Sequence, residues 1–244
     1  MAELAYPLFV VLLGYVVLGI TGFGSALVIV PLLAWHWPLP EVVALALLMD
    51  VPASLLHGGL NLRQVNFSEL RRLLPGMALG TLAGLWLTGI LAPRWPLLAL
   101  GLYVATVGIN ALRPRPCAAP RPLAAPWAHA MGFAIGMVEM LFGTAGPLAV
   151  AWLSRRLTDV HVLRASTPVI LVVSASAVLL GLGWTGRLSS SELWSRWASL
   201  MGVAVVGVLL GNRLARRISP DILRKAICGL LTLSGLALVL HALG

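Results

Sequence analysis

Charged side chains are scarce in this chain: Asp, Glu, Lys and Arg together make up 10% of its 244 residues, against roughly 25% in soluble domains. With 59% hydrophobic residues and a mean hydropathy of +0.96, that shortage excludes a water-soluble globular domain and predicts an integral membrane protein. A basic stretch ahead of the first apolar run is also missing, since only Glu3 precedes it. A cleavable signal peptide needs such a stretch, so the first segment is expected to stay in the protein. Cysteine is nearly absent: Cys117 in a loop and Cys228 in the last span have neither metal nor redox spacing, and both read as incidental. No His-x-x-x-His or other acid/base or metal constellation occurs. The expectation is no enzyme, no cofactor and no metal site.

The formal net charge is +9, but its arginines lie in short loops between apolar runs. That distribution sets topology in membranes and argues against a nucleic-acid partner. The expected partners are the lipid bilayer and a small anionic substrate, and a homo-oligomer is compatible with the pattern.

Segment 1 runs from about residue 4 to 37, too long for one span of about 20 residues, and is interrupted by Gly19-Ile20-Thr21-Gly22-Phe23-Gly24-Ser25. Span 2 covers about 41–60 and holds Asp50, Pro52 and His57. A loop over 61–72 with Arg63, Arg71 and Arg72 precedes span 3, about 73–91, whose Gly76, Gly80 and Gly84 form a small-xxx-small stripe suited to close helix packing. Span 4 covers about 96–112, after a short loop with Arg94. The Pro/Arg-rich stretch 113–126 is not helical and reads as a linker between a first transmembrane repeat, 1–112, and a second, 127–244. Segment 5, about 127–154, is interrupted by Phe142-Gly143-Thr144-Ala145-Gly146-Pro147. A loop with Arg155, Arg156 and Arg164 leads to span 6 (about 165–184), span 7 (about 197–214) and span 8 (about 226–243).

The two halves repeat. Gly22 falls on Gly143, Leu27 on Leu148 and Ala44 on Ala165 at an offset of 121; Gly80, Gly84, Pro93 and Gly108 fall on Gly207, Gly211, Pro220 and Gly235 at 127. If every segment crossed once, the Lys and Arg residues would divide 8 inside and 9 outside, which is no bias. If each glycine-broken segment enters and returns to its own side, 14 are cytoplasmic and only Arg94, Arg187 and Arg196 lie outside. The positive-inside rule selects the second arrangement; two full crossings per broken segment would give the same count, but half-segments of about 14–17 residues are short for that. The fold class is therefore all-α, with two inverted repeats. Each is a glycine-broken re-entrant helical hairpin followed by three transmembrane helices, and both termini lie outside.

Glycine inside a helix is unfavourable by about 1 kcal/mol relative to alanine, and irregular backbone at membrane depth survives only where it is buried or lines a cavity. A matched pair of Gly/Pro-interrupted apolar segments marks a transporter site. The returning half-helix of each hairpin starts at the break, at Ser25 and near Pro147, and helix N-termini attract anions. The substrate-binding candidates are Thr21, Gly22, Phe23, Gly24 and Ser25 with Gly143, Thr144, Ala145 and Gly146. Helix packing alone is the competing explanation, and the pairing at one offset favours a site.

No Arg or Lys lies in mid-span, whereas Asp50 and Glu139 do. Intramembrane acids are costly and are functional hypotheses by default. They would repel an anion when ionised, so Asp50 and Glu139 are candidates for a proton that couples to transport, against a structural hydrogen bond as the alternative. His57 and Asn110 read as interfacial, and Ser174 and Ser176 as backbone-bonded helix serines. Trp35, Trp37, Trp127, Trp184 and Trp197 fit an interfacial belt, and Trp152 is a candidate wall for an aromatic substrate.

The motifs GITGFGSALVIVPLL and GMVEMLFGTAGPLAVAWL, with a central loop and two four-segment halves, resemble the sulfite exporter TauE/SafE family, also called the toluene-sulfonate uptake permease family. The second break, Gly143-Thr144-Ala145-Gly146, departs from the more usual Gly-x-Gly-Gly of that family. The resemblance implies a multi-pass permease of the cell inner membrane. Its cargo would be a sulfur-containing anion such as sulfite, thiosulfate, sulfoacetate or an arylsulfonate. From the residues alone the reading is an anion carrier, with a passive anion channel or a non-transport membrane scaffold subunit as alternatives.

Overall fold

The computed structural model describes residues 2–58, 62–92, 94–112, 126–157, 159–215, 217 and 220–243. Regular structure among them is helical throughout: α1 Ala2–Thr21, α2 Ser25–Leu33, α3 Leu39–Gly58, α4 Phe67–Ile90, α5 Arg94–Leu112, α6 Trp127–Phe142, α7 Gly146–Arg156, α8 Val160–Trp184, α9 Ser191–Ala215 and α10 Pro220–Leu243, plus a 3-10 turn at Leu62–Gln64. The all-α membrane expectation holds. Among the described residues, Leu39–Leu56, Phe67–Ile90, His161–Trp184 and Ser191–Ala215 are long and apolar enough to cross a bilayer. The helices α2 and α7 are not. At 9 and 11 residues and 1.5 Å rise per residue, each covers about half, or less, of a hydrocarbon core about 30 Å thick.

Both overlong segments break at their glycines. Gly22, Gly24 and Gly143 have φ of 83°, 94° and 67°, the left-handed region that residues with a Cβ avoid. The Gly22 N–H donates to Leu18 O (2.7 Å) and the Gly143 N–H to Glu139 O (2.8 Å), so the same turn closes α1 and α6 at positions 121 residues apart. The sequence suggests two limbs of similar length. The observed limbs are 20 and 9 residues in the first hairpin, 16 and 11 in the second. Hydropathy runs evenly through a break and does not locate it; the left-handed glycines do.

Several expected loop residues are helical. Arg71 and Arg72 lie in α4, Arg155 and Arg156 in α7, and Arg164 in α8. The Asn66 side chain accepts the Glu69 N–H (3.1 Å), and that of Asp159 accepts the His161 N–H (2.7 Å). Such caps start a helix at the cap, a turn or more before its apolar stretch begins. The linker is outside the described residues from 113 to 125, and Cys117 with it.

Glycines decide how the long helices meet. A Cβ at Gly80 would lie 2.1 Å from Phe133 O, and one at Gly207 3.0 Å from Leu12 O. A Cβ at Gly84 would meet Met140 Cβ at 2.8 Å, and one at Gly211 would meet Gly19 Cα at 2.8 Å. Phe133 and Met140 stand 121 residues after Leu12 and Gly19, just as Gly207 and Gly211 stand 127 after Gly80 and Gly84. The contact of α4 with α6 is thus repeated by α9 with α1, and in both pairs the residue numbers rise together, so the helices run parallel. Contacts of α5 with α10 run the other way: Gly101 faces Gly235 and Val239, while Gly108 faces Cys228 and Thr232. That pair is antiparallel.

Candidate functional site

A small cavity lies between the two breaks. Its polar wall comes from Ser25 at the head of α2, Thr144 before α7, and Asp50 and Ser54 of α3 with Glu139 of α6. Leu18, Val51, Leu171, Val172 and Ala175 form the apolar side. The lining is paired at the 121 offset: Leu18 with Glu139, Phe23 with Thr144, Gly24 with Ala145, Ser25 with Gly146, Asp50 with Leu171, Val51 with Val172, and Ser54 with Ala175. Each acid therefore has a leucine at the equivalent place in the other half.

Of the residues singled out from the sequence, Phe23, Gly24, Ser25, Gly143, Thr144, Ala145, Gly146, Asp50 and Glu139 all reach this cavity. Thr21 and Gly22 are not among its lining residues. The Thr21 hydroxyl is turned back onto the carbonyls of Val17 (2.9 Å) and Phe23, and Gly22 closes α1. Both hold the first hairpin in shape. The tips touch directly: a Cβ at Gly146 would come within 2.8 Å of the Phe23 ring. Residues Gly22 to Gly24 are partly exposed and Thr21 is exposed, while Gly143 to Gly146 are buried.

The acids are held differently. Asp50 Oδ1 accepts from the Ser25 hydroxyl (2.6 Å) and from the Tyr15 hydroxyl (2.7 Å), which ties α1, α2 and α3 together. Glu139 Oε2 accepts the backbone N–H of Ala145, the residue preceding α7, at 2.6 Å. The Tyr103 hydroxyl donates to Thr144 O at 3.1 Å and braces the second tip from α5. Among the residues lining the cavity there is no Arg or Lys. Sequence reasoning passed over Tyr15 and Tyr103. The available signal was that two of the three tyrosines sit in the middle of apolar helices, where a buried phenol needs a partner.

Trp152 does not line the cavity. It is fully buried, and its indole N–H donates to Glu69 Oε2 at 3.1 Å. Glu69, 5% exposed, also pairs with Arg156 and Arg72, each at 2.9 Å, so the last turn of α7 is fastened to the first turns of α4. Removing one partner from a buried ion pair typically costs about 3–5 kcal/mol, and this cluster anchors the returning limb of the second hairpin. At the far end Arg196 lies 4.2 Å from the Trp37 ring and 3.0 Å from Glu41; it is the residue 127 after Glu69. Ser174, expected to bond its own helix, is fully buried with no hydrogen-bond partner among the described residues. Trp35, Trp127 and Trp184 are exposed, as belt residues are. Trp37 and Trp197 are partly covered, the latter donating to Leu48 O at 3.2 Å. Asn110 is exposed, and the side chain of His57 lies outside the described residues.

Span-length apolar helices surrounding a polar cavity, with two half-length helices meeting in it, make the architecture of a membrane transporter. The sequence profile described as Sulfite exporter TauE/SafE matches residues 7–238. The chain belongs to that family. It is 48% identical over 198 residues, 81% of this chain and 82% of the other, to a Comamonas testosteroni protein named "Probable inner membrane transporter protein TsaS". No solved structure matches the chain.

Proposed function

We propose that this protein is a secondary transporter of the inner membrane that binds a small sulfur-containing anion between its two hairpin tips. The carrying observation is the cavity itself, in which both glycine breaks and both intramembrane acids converge. Hydroxyls of Ser25, Ser54 and Thr144 and the amides heading α2 and α7 suit the oxygens of such a group, since first-turn amides lack intrahelical acceptors. Leu18, Phe23, Val51, Leu171 and Val172 suit an apolar body attached to it. That mixture favours a monovalent organosulfonate over sulfite or thiosulfate. With two acids and no basic residue in the lining, an anion is accommodated when carboxyl charge is neutralised, which supports proton coupling.

The two halves, 1–112 and 127–244 around the linker 113–126, are read as inverted repeats. Halves related by an axis along the membrane normal would place α5 and α10 parallel; their antiparallel contact supports an axis in the membrane plane. The 14-to-3 division of basic residues supports the same reading. With the first hairpin entering from outside, its exposed tip and the buried second tip correspond to a state open toward the cytoplasm.

Purified protein in proteoliposomes is expected to take up toluenesulfonate saturably and to show counterflow. Linear flux without counterflow would identify a passive anion channel, and no flux at all a scaffold. A thermal-shift series with sulfonates, sulfite, thiosulfate, sulfate and carboxylates ranks the anions; a ligand at 100 times its Kd adds about 2.7 kcal/mol of stability.

The topology makes a separate prediction. Cysteine labelling should find both termini outside and the 113–126 linker in the cytoplasm. A cytoplasmic C-terminus would rule out the inverted hairpins.

A further inference from the structure

The second tip already holds a carboxyl group. Glu139 Oε2 sits 2.6 Å from the Ala145 N–H, at the head of an 11-residue helix whose dipole favours negative charge there. Pro147 follows Gly146 and carries no N–H, so the donors of this tip are few, and the carboxylate occupies one that a bound anion would need.

The turn does not require that carboxylate. Gly22 and Gly143 close the two breaks through the carbonyls of Leu18 and Glu139, at 2.7 and 2.8 Å. Leu18 performs this backbone role in the first half with an apolar side chain. The acid at 139 is therefore additional to what the hairpin needs, and its side chain faces the cavity.

We propose that Glu139 is a tethered competitor of the substrate: its carboxylate occupies the second tip in the empty carrier, and the transported anion displaces it as it takes up one proton. This rests on the reading of the cavity as an anion site. Among the described residues no Arg or Lys lines the cavity to pair with the displaced side chain. Glu139 is 4% exposed, and a buried carboxylate without a partner neutralises by binding a proton. The helices packed on α6 include α3, α4, α5, α7 and α8. Of these, α3 brings Asp50, bonded to Tyr15 and Ser25, and α5 brings Tyr103, bonded to Thr144 O. On α4, α7 and α8 the titratable groups are Glu69, Arg71, Arg72, Arg155, Arg156, His161 and Arg164, all in terminal turns. The exchange balances. One monovalent anion and one proton enter the site together, and no net charge is added. When the anion leaves, the proton leaves the carboxyl and Glu139 returns to the Ala145 amide.

The test is toluenesulfonate binding to the purified full-length protein by calorimetry between pH 5.5 and 8.5, a range in which the sulfonate itself does not titrate. Wild-type affinity is expected to weaken with rising pH, approaching tenfold per unit as set by one linked proton. Glu139→Gln and Glu139→Ala are expected to bind with no pH slope and, at pH 8, at least tenfold more tightly than wild type. Glutamine still accepts the Ala145 N–H and so preserves the tip, which makes it decisive if the alanine variant does not fold. A folded Glu139→Gln protein that keeps the wild-type slope, or that binds more weakly than wild type at pH 8, overturns the proposal. Toluenesulfonate that binds wild type at no pH overturns the underlying site reading, and the proposal with it.

Discussion

Gly24→Leu is expected to abolish sulfonate binding while leaving the bundle folded, and Gly80→Leu to do the reverse. At Gly24 the backbone φ is 94° and the nearest atom to an added Cβ is Leu27 Cδ1 at 3.6 Å. The added carbon has room, but a left-handed leucine costs roughly 1–3 kcal/mol, and its branch covers the backbone an anion must approach. Gly143→Leu is expected to act alike, because φ there is 67° and the new Cβ would lie 3.5 Å from Val43 Cγ1. At Gly80 the obstacle is a backbone carbonyl, Phe133 O, 2.1 Å from the added Cβ. A carbonyl in a helix cannot rotate aside, so α4 and α6 must separate, and overpacking of this kind costs about 1–3 kcal/mol or more. Fluorescence-detected size-exclusion chromatography reports the yield of folded protein, and thermal shift with toluenesulfonate reports binding. Normal binding by both tip variants would put the site elsewhere in the molecule.

The second large effect concerns energy coupling. If Glu139 carries the proton, Glu139→Gln should exchange sulfonate between the two sides of a proteoliposome and accumulate none of it against a gradient. Wild-type uptake of a monovalent sulfonate should be faster at low outside pH. It should also be indifferent to membrane potential, because anion and proton cross together. Asp50 is bound differently, with one carboxylate oxygen holding both Tyr15 and Ser25, so Asp50→Asn is expected to loosen the first tip. If Asp50→Asn gives exchange without accumulation and Glu139→Gln does not, the proton belongs to Asp50. Proton-driven accumulation that survives in both variants would leave the two acids with a structural role.

Glu69 and Arg196, 127 residues apart, make unlike contacts. Glu69 grips Arg156 and Trp152 at one end, and Arg196 grips Glu41 and Trp37 at the other.

Sequence alone was sufficient for membrane residence, the all-helical class and the two glycine breaks. These properties are local: apolar runs separate from water wherever they occur, and a glycine cluster interrupts a helix whatever lies beside it. The family followed from the same motifs. The parallel and antiparallel pairing of helices, the partners of the acids, and the burial of Trp152 away from the cavity were decided by tertiary structure. Tyr15 meets Asp50 across 35 residues and Trp152 meets Glu69 across 83, and no periodicity links such positions. Even the residue at which each hairpin turns depended on the fold: Gly22, Gly24 and Gly143 are left-handed while Gly19 stays inside α1, although a glycine adopts either conformation at little cost.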